Sequence, residues 1–228
     1  MTPAGIDAAD VVQLVLVFAV CYAIGSIPNA YIIVRLVTGE DITRHGTGNV
    51  GAMNVRRATG SWAWFAAAMI ADGLKGFLPT LAASLGVLTV FFGADAVDSQ
   101  VASMAAVLGV VVGHNYSMWV ALLERRLAPS GKGLATGAGA LLAYDWRYFV
   151  VAVVVGLVVI ALTRYMMAGQ VAATVALPLY VILTDQPDWP FIVLLSLLVY
   201  ARHHRRFMGL LRGEEPKLYV NDGTGPRG

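Results

Sequence analysis

Residues 11–36 read VVQLVLVFAVCYAIGSIPNAYIIVRL, a stretch whose only charged side chain is Arg35, one place from its end. A helix that crosses the hydrocarbon core of a bilayer needs about 20 predominantly apolar residues. This stretch is long enough to span. Further apolar segments follow at 61–91, 101–123, 134–146, 147–163, 166–184 and 189–203. The whole chain of 228 residues carries the same signature, 58% hydrophobic and 13% charged, against roughly 25% charge in soluble domains. Its mean hydropathy is +0.70. The sequence therefore predicts an all-α integral membrane protein with seven transmembrane helices and a short amphipathic C-terminal segment. It excludes the one or two soluble domains that length alone would suggest.

Two segments stand apart. The run 134–146 is too short to cross alone, and Asp145-Trp146 places its far end at an interface, where tryptophan is favoured. The run 61–91 is long enough to tilt or to break near Pro79. The opening residues contain Asp7 and Asp10 but no Lys or Arg. A cleaved signal peptide wants a basic start, so 11–36 reads as a permanent first span. Cys21 is the one cysteine, which rules out an internal disulfide and a thiolate metal cluster.

The placement of charge orients the chain. With the N-terminus outside, the outer segments hold Asp7, Asp10, Asp95, Asp98, Asp145, Asp185 and Asp188 with a single basic residue, Arg147. The inner side receives 14 of the 16 Lys and Arg, and Lys75 lies within a span. That is the asymmetry the positive-inside rule describes. An odd number of spans follows, in the cell (inner) membrane, with the C-terminus cytoplasmic. No stretch is long enough for a separate soluble domain. The organisation expected is one membrane domain over 1–218 and a disordered tail over 219–228.

The inner loops carry the chemistry. Residues 45–54, HGTGNVGAMN, place Gly46, Gly48 and Gly51 in a G-x-G-x-x-G pattern. That pattern signals a dinucleotide only between a strand and a helix. Here it follows a membrane span and the polar stretch TGEDITR, so the dinucleotide reading fails. Its physical part survives: glycines let backbone N–H groups approach an anion, and a following helix adds its positive end. Asn54, Arg56 and Arg57 suit a phosphate, although positive-inside anchoring also explains the arginines. The second inner loop sets His114, Asn115 and Ser117 of GHNYS before SGKGLAT, where Gly131, Lys132 and Gly133 lead into an apolar helix. A Walker loop is absent because Gly, not Ser or Thr, follows the lysine. The third inner segment, ARHHRRFMGLLRGEEPK, is basic and amphipathic, as a patch lying on anionic lipid headgroups would be. Within the membrane, Asp72 and Lys75 lie three residues apart on one helical face, flanked by Gly73 and Gly76. Ionisable groups at such depth pair with each other or face a polar cavity.

Taken in order, GSIPNAYIIVR, DITRHGTGNVGAMNVRRATG, DGLKG, GHNYS with SGKGLAT, and RHHRRFMGLLRGEEPK resemble the motifs of the PlsY family over about Gly25–Lys217. These are bacterial acyl-phosphate-dependent glycerol-3-phosphate acyltransferases. The resemblance implies a seven-span helical protein of phospholipid biosynthesis with a cytoplasmic-side site. It implies acyl phosphate and glycerol 3-phosphate as substrates, 1-acylglycerol 3-phosphate and phosphate as products, and no cofactor or nucleic acid. By position, Thr47 stands where the family has serine, and Gly48, Asn49, Gly51, Asn54 and Arg57 match the rest of that loop. Asp72, Lys75 and Gly76 match the next motif. His114 matches the family histidine, and Gly131, Lys132, Gly133, Ala135 and Thr136 match its Gly-Lys-Gly turn. His203 and Glu215 match the last motif. The chain departs from the family at Thr43 and Arg44, Ser130, Arg206 and Gly209.

These residues fit two phosphate-bearing substrates. Acyl phosphate is already activated, so no strong nucleophile is needed, and none is evident. Thr47, Asn49, His114 and Lys132 are the catalytic set expected; Gly46, Gly48, Gly51, Asn54, Arg57, Asp72, Lys75, Asn115, Gly131, Gly133, Thr136, His203 and Glu215 are expected to bind substrate. No Cys/His ligand set or carboxylate cluster surrounds the inner loops, so no metal is expected. A transporter of phosphorylated metabolites would show inverted halves and midplane polar groups in both, which this sequence lacks. A non-catalytic relative that binds lipid headgroups is the other alternative, and the departures are the argument for it.

Overall fold

The computed structural model describes residues 7–46, 48–92, 97–125 and 131–215. Their regular structure is helical throughout, with no strand among them. In order the helices are α1 (Ala8–Gly25), α2 (Asn29–Thr38), α3 (Ala52–Thr59), α4 (Trp62–Ser84), α5 (Val87–Phe92) and α6 (Ser99–Asn115). Then come α7 (Met118–Glu124), α8 (Leu134–Tyr144), α9 (Trp146–Thr163), α10 (Met166–Leu183) and α11 (Trp189–Leu211). A short 3-10 turn, Ile42–Arg44, precedes the first glycine loop. The chain divides into two compact units at Phe149–Val150.

The run 11–36 is not one helix. It breaks at Ser26–Pro28 because Pro28 carries no N–H and its ring disfavours helical backbone at Ile27. The 101–123 run also breaks, at Tyr116–Ser117, where Ser117 caps the next helix by accepting from the Val120 N–H. Irregular backbone at membrane depth persists only where protein groups or a polar cavity satisfy it. Here the two breaks brace each other. Ser117 Oγ donates to the Ser26 carbonyl (2.5 Å), Tyr22 Oη donates to the Tyr116 carbonyl (2.9 Å), and Trp119 Nε1 donates to the Ala23 carbonyl (3.2 Å). Lys75 Nζ reaches the Ile27 carbonyl at 2.7 Å.

Pro79 does not break its segment. Helix α4 runs through it and ends at Ser84, with the reversal at Gly86, whose φ is +72°. One missing donor is a smaller perturbation than a residue that needs left-handed backbone. Helix α4 packs on α8 and α6, and α1 packs on α6. Gly25 permits the α1–α6 approach, since a Cβ there would sit on the backbone of Val110.

Among the described residues, five segments are long and apolar enough to cross a membrane: Ala8–Thr38, Trp62–Ser84, Ser99–Leu123, Trp146–Thr163 and Met166–Leu183. Helix α8, at 11 residues, is too short, as the sequence anticipates. Helix α11 has 23 residues, and its C-terminal part carries Arg202, Arg205 and Arg206. In the second unit α10 packs on α11, and Gly169 of α10 lies against the Gly156 carbonyl of α9. The 219–228 tail lies outside the described residues.

Candidate functional site

A polar cluster sits inside the first unit where α4, α6, α8 and the α1–α2 break converge. Asp72 and Lys75, one turn apart on α4, form an ion pair at 2.9 Å, with side chains 5% and 7% exposed. Two charges so deeply buried are tolerable only when their remaining donors and acceptors are also satisfied. Each has a second partner: Asn29 Nδ2 donates to Asp72 Oδ1 at 3.1 Å, and Lys75 also holds the Ile27 carbonyl. His114, near the end of α6, sets Nδ1 3.0 Å from Thr136 Oγ1 and 3.9 Å from Asp72 Oδ1. A carboxylate on that side favours the tautomer with the proton on Nδ1, donating to the hydroxyl and leaving Nε2 as the basic nitrogen. Ser26, Ile27, Pro28, Asn29, Val50, Asp72, Lys75, His114 and Ser117 line one pocket. The cluster therefore opens toward Val50 of the first glycine loop.

The second loop closes over the imidazole. A Cβ on Gly131 would overlap the His114 ring, so glycine is required for this approach. Gly133 has φ +72°, and a Cβ there would lie 2.9 Å from Asn115 Oδ1. Asn115 is buried, and its Oδ1 has no hydrogen-bond partner among the described residues.

The first loop is organised alike. Asn54, 1% exposed, donates through Nδ2 to the carbonyls of Ile42 (3.0 Å) and His45 (2.9 Å). Gly46 has φ +50° and packs against Asn54 and the Arg57 side chain. Gly48 turns back on the Thr43 carbonyl, and Asn49 Nδ2 lies beside Gly51. Asp41 accepts from the Thr43 N–H (2.9 Å) and hydroxyl (2.8 Å). Partial burial pushes the Asp41 carboxyl up, but those bonds, with Arg44 and Arg35 nearby, outweigh it and hold it below the usual carboxylate range. His45 and Glu40 approach to 2.5 Å at the mouth of the loop.

Thr47 lies outside the described residues. Asn54, Asp72, Lys75, Asn115 and Thr136 are all buried; Asn54, Asp72, Lys75 and Thr136 hold hydrogen-bond or ion-pair partners here, and Asn115 lies against Gly133. Thr136 is fully buried, and its hydroxyl is engaged by His114. His203 and Glu215 belong to the second unit. There His203, 5% exposed, sets Nδ1 2.9 Å from the Val199 carbonyl, and Glu215 forms a bidentate pair with Arg206. That pair gives one of the departures a partner. The sequence reading missed Asn29, Ser26 and Tyr22. The available signal was Ser-Ile-Pro-Asn interrupting an apolar run, which marks a break whose carbonyls need donors.

A multi-helix membrane protein with a buried Asp–Lys–His cluster beneath two glycine turns is the class that this fold and site define. The glycerol-3-phosphate acyltransferase family profile matches residues 15–213. The chain is 37% identical to the glycerol-3-phosphate acyltransferase of Gluconobacter oxydans (strain 621H), covering 93% of this chain and 96% of that one. It is 31% identical to that of Clostridioides difficile (strain 630), covering 92% and 97%. Crystal structures of PlsY (YgiH), an integral membrane glycerol 3-phosphate acyltransferase, superpose with TM-scores of 0.74 for the glycerol 3-phosphate form and 0.73 for the lysophosphatidic acid form. They are 28% and 27% identical, and each comparison covers 90% of this chain and 94% of that one. The chain belongs to the glycerol-3-phosphate acyltransferase family, as a multi-pass membrane enzyme.

Proposed function

We propose that this enzyme transfers a fatty acyl group from acyl phosphate to glycerol 3-phosphate, releasing 1-acylglycerol 3-phosphate and phosphate. The buried Asp72–Lys75–His114 cluster, opening toward the first glycine loop and covered by the second, is the observation that carries this reading. A glycerol hydroxyl oxygen attacks the acyl carbon, the bond from that carbon to the phosphate oxygen breaks, and phosphate leaves. The hydroxyl proton passes to a substrate phosphate or to Nε2 of His114. Lys132, Asn49 and the first glycine loop hold the donor phosphate and stabilise developing charge. Arg57, beside the first glycine loop, serves the glycerol 3-phosphate. Asn54 and Asn115 shape the two glycine turns, while Asp72 and Lys75 form the floor. The reaction uses no metal and no acyl-enzyme, and the acyl chain lies among the spans. The protein crosses the cell membrane seven times with the site on the cytoplasmic side.

Purified protein in detergent, supplied with acyl phosphate and radiolabelled glycerol 3-phosphate, should produce labelled 1-acylglycerol 3-phosphate without added metal. A protein that binds both substrates yet yields no product would be a headgroup-binding relative, and the proposal would fall.

A further inference from the structure

The Asp72 carboxylate is held from two directions, and one of them comes from outside the motif that contains it. Asn29 is the first residue of α2, immediately after the break at Ser26–Pro28. Its backbone N–H donates to the Ile27 carbonyl at 3.1 Å, and its side-chain Nδ2 donates to Asp72 Oδ1 at 3.1 Å. Lys75 Nζ closes the circuit, touching both Asp72 Oδ1 (2.9 Å) and the Ile27 carbonyl (2.7 Å). Lys75 therefore divides its donors between a charge on its own helix and a backbone carbonyl across the break. The Asn29 amide is the contact that fixes the Asp72 rotamer independently of the lysine. His114 Nδ1, held by the Thr136 hydroxyl at 3.0 Å, stands 3.9 Å from the same Oδ1 atom, so the carboxylate acts on the imidazole through its charge and only while it stays in place. A buried carboxylate that loses one of two donors is expensive to keep charged and shifts to recover a partner.

We propose that Asn29 is a positioning residue for acyl transfer: it holds Asp72 so that Lys75 seals the helix break and the His114 ring keeps its tautomer and aim. This rests on the acyl-transfer reading above. It also links the α1–α2 break to the chemistry, since the residue that starts α2 reaches the carboxylate beneath the histidine.

The test uses full-length protein in detergent and compares wild type with Asn29→Leu, Asn29→Gln, Asp72→Asn and the Asn29→Leu/Asp72→Asn double variant. Asn29→Leu keeps side-chain volume but loses the donor. It should lower kcat about tenfold while KM for glycerol 3-phosphate stays within about twofold, because aim is lost and binding is kept. Asn29→Gln retains the carboxamide and should recover at least about threefold of that loss. In the Asp72→Asn background, Asn29→Leu should cause no further loss in kcat or in Tm, since residues in contact are non-additive. Asn29→Ser, polar but too short to reach Asp72, replaces Asn29→Leu if the latter does not fold. Wild-type kcat in Asn29→Leu, or Tm losses that add independently with Asp72→Asn, would overturn the proposal. If the wild type transfers no acyl group, the acyl-transfer reading fails, and non-additive Tm losses would still establish the Asn29–Asp72 contact.

Discussion

At residue scale, the buried hydroxyl of Thr136 is the group that meets His114 Nδ1. Thr136→Val preserves shape but leaves a buried ring nitrogen without that partner, at a cost of about 1–3 kcal/mol. It should lower kcat at least about tenfold, with Thr136→Ser close to wild type, because serine keeps the hydroxyl. A valine variant with full kcat would remove Thr136 from the account. Lys132 is the second residue to probe. Gly131 and Gly133 flank it, the first pressed on the His114 ring and the second held at φ +72°. In so tight a turn a compact ammonium suits one anion, and a planar guanidinium fork does not. Lys132→Ala should reduce the acylation rate at least about tenfold, equivalent to about 1.4 kcal/mol, and Lys132→Arg should not restore it. Wild-type rate and KM in Lys132→Ala would refute the phosphate-cradle reading.

At the scale of elements, the packing of α4 on α8 sets the height of the buried Asp72–Lys75 pair relative to Thr136. A Cβ on Gly76 would fall on the Thr136 carbonyl, and one on Gly139 would fall on the Gly73 carbonyl. Backbone cannot give way as a flexible side-chain end can, so Gly76→Ala should push the helices apart, costing about 1–3 kcal/mol. Because Thr136 lies at the point of contact, kcat should fall along with Tm. Gly86→Ala is the comparison. At φ +72° its neighbour is Thr89 Oγ1 at 3.7 Å, so only backbone strain of about 1 kcal/mol is expected, with kcat intact. If both variants lower Tm equally and neither changes kcat, α4–α8 spacing does not govern the site. These contacts also mark what the sequence can reveal. Asp72 and Lys75 were legible because helical spacing puts them on one face, and the apolar runs located the helices. The partners Asn29, Tyr22 and Ser26 were not, since a helix break shows which carbonyls are freed but not which distant side chain will reach them. The two prolines look alike in sequence yet differ in outcome: α4 runs through Pro79, whereas the helix stops before Pro28.

At the scale of the whole molecule, the acids at the helix starts and the Lys and Arg of the loops are placed for different physical reasons. Asp7 and Asp10 form a capping box at the start of α1, and Asp98 accepts from Gln100 N (2.8 Å) and Val101 N (3.2 Å) at the start of α6. These three carboxylates thus face the positive end of a helix dipole and satisfy otherwise orphaned N–H groups. The acids at these ends are explained by capping, and the Lys and Arg residues alone carry the orientation signal. With 14 of 16 of them on one side, the N-terminus should lie outside and the loops bearing Gly48 and Lys132 inside. The fully buried Cys21 is the native cysteine, so single introduced cysteines report against a low background. Asp98→Cys and Asp185→Cys should react with a membrane-impermeant thiol reagent in intact cells. Gly48→Cys, Arg44→Cys and Arg164→Cys should react only after permeabilisation. Labelling of position 44 or 48 in intact cells would invert the orientation, and would place the glycine loops on the side opposite to the one proposed.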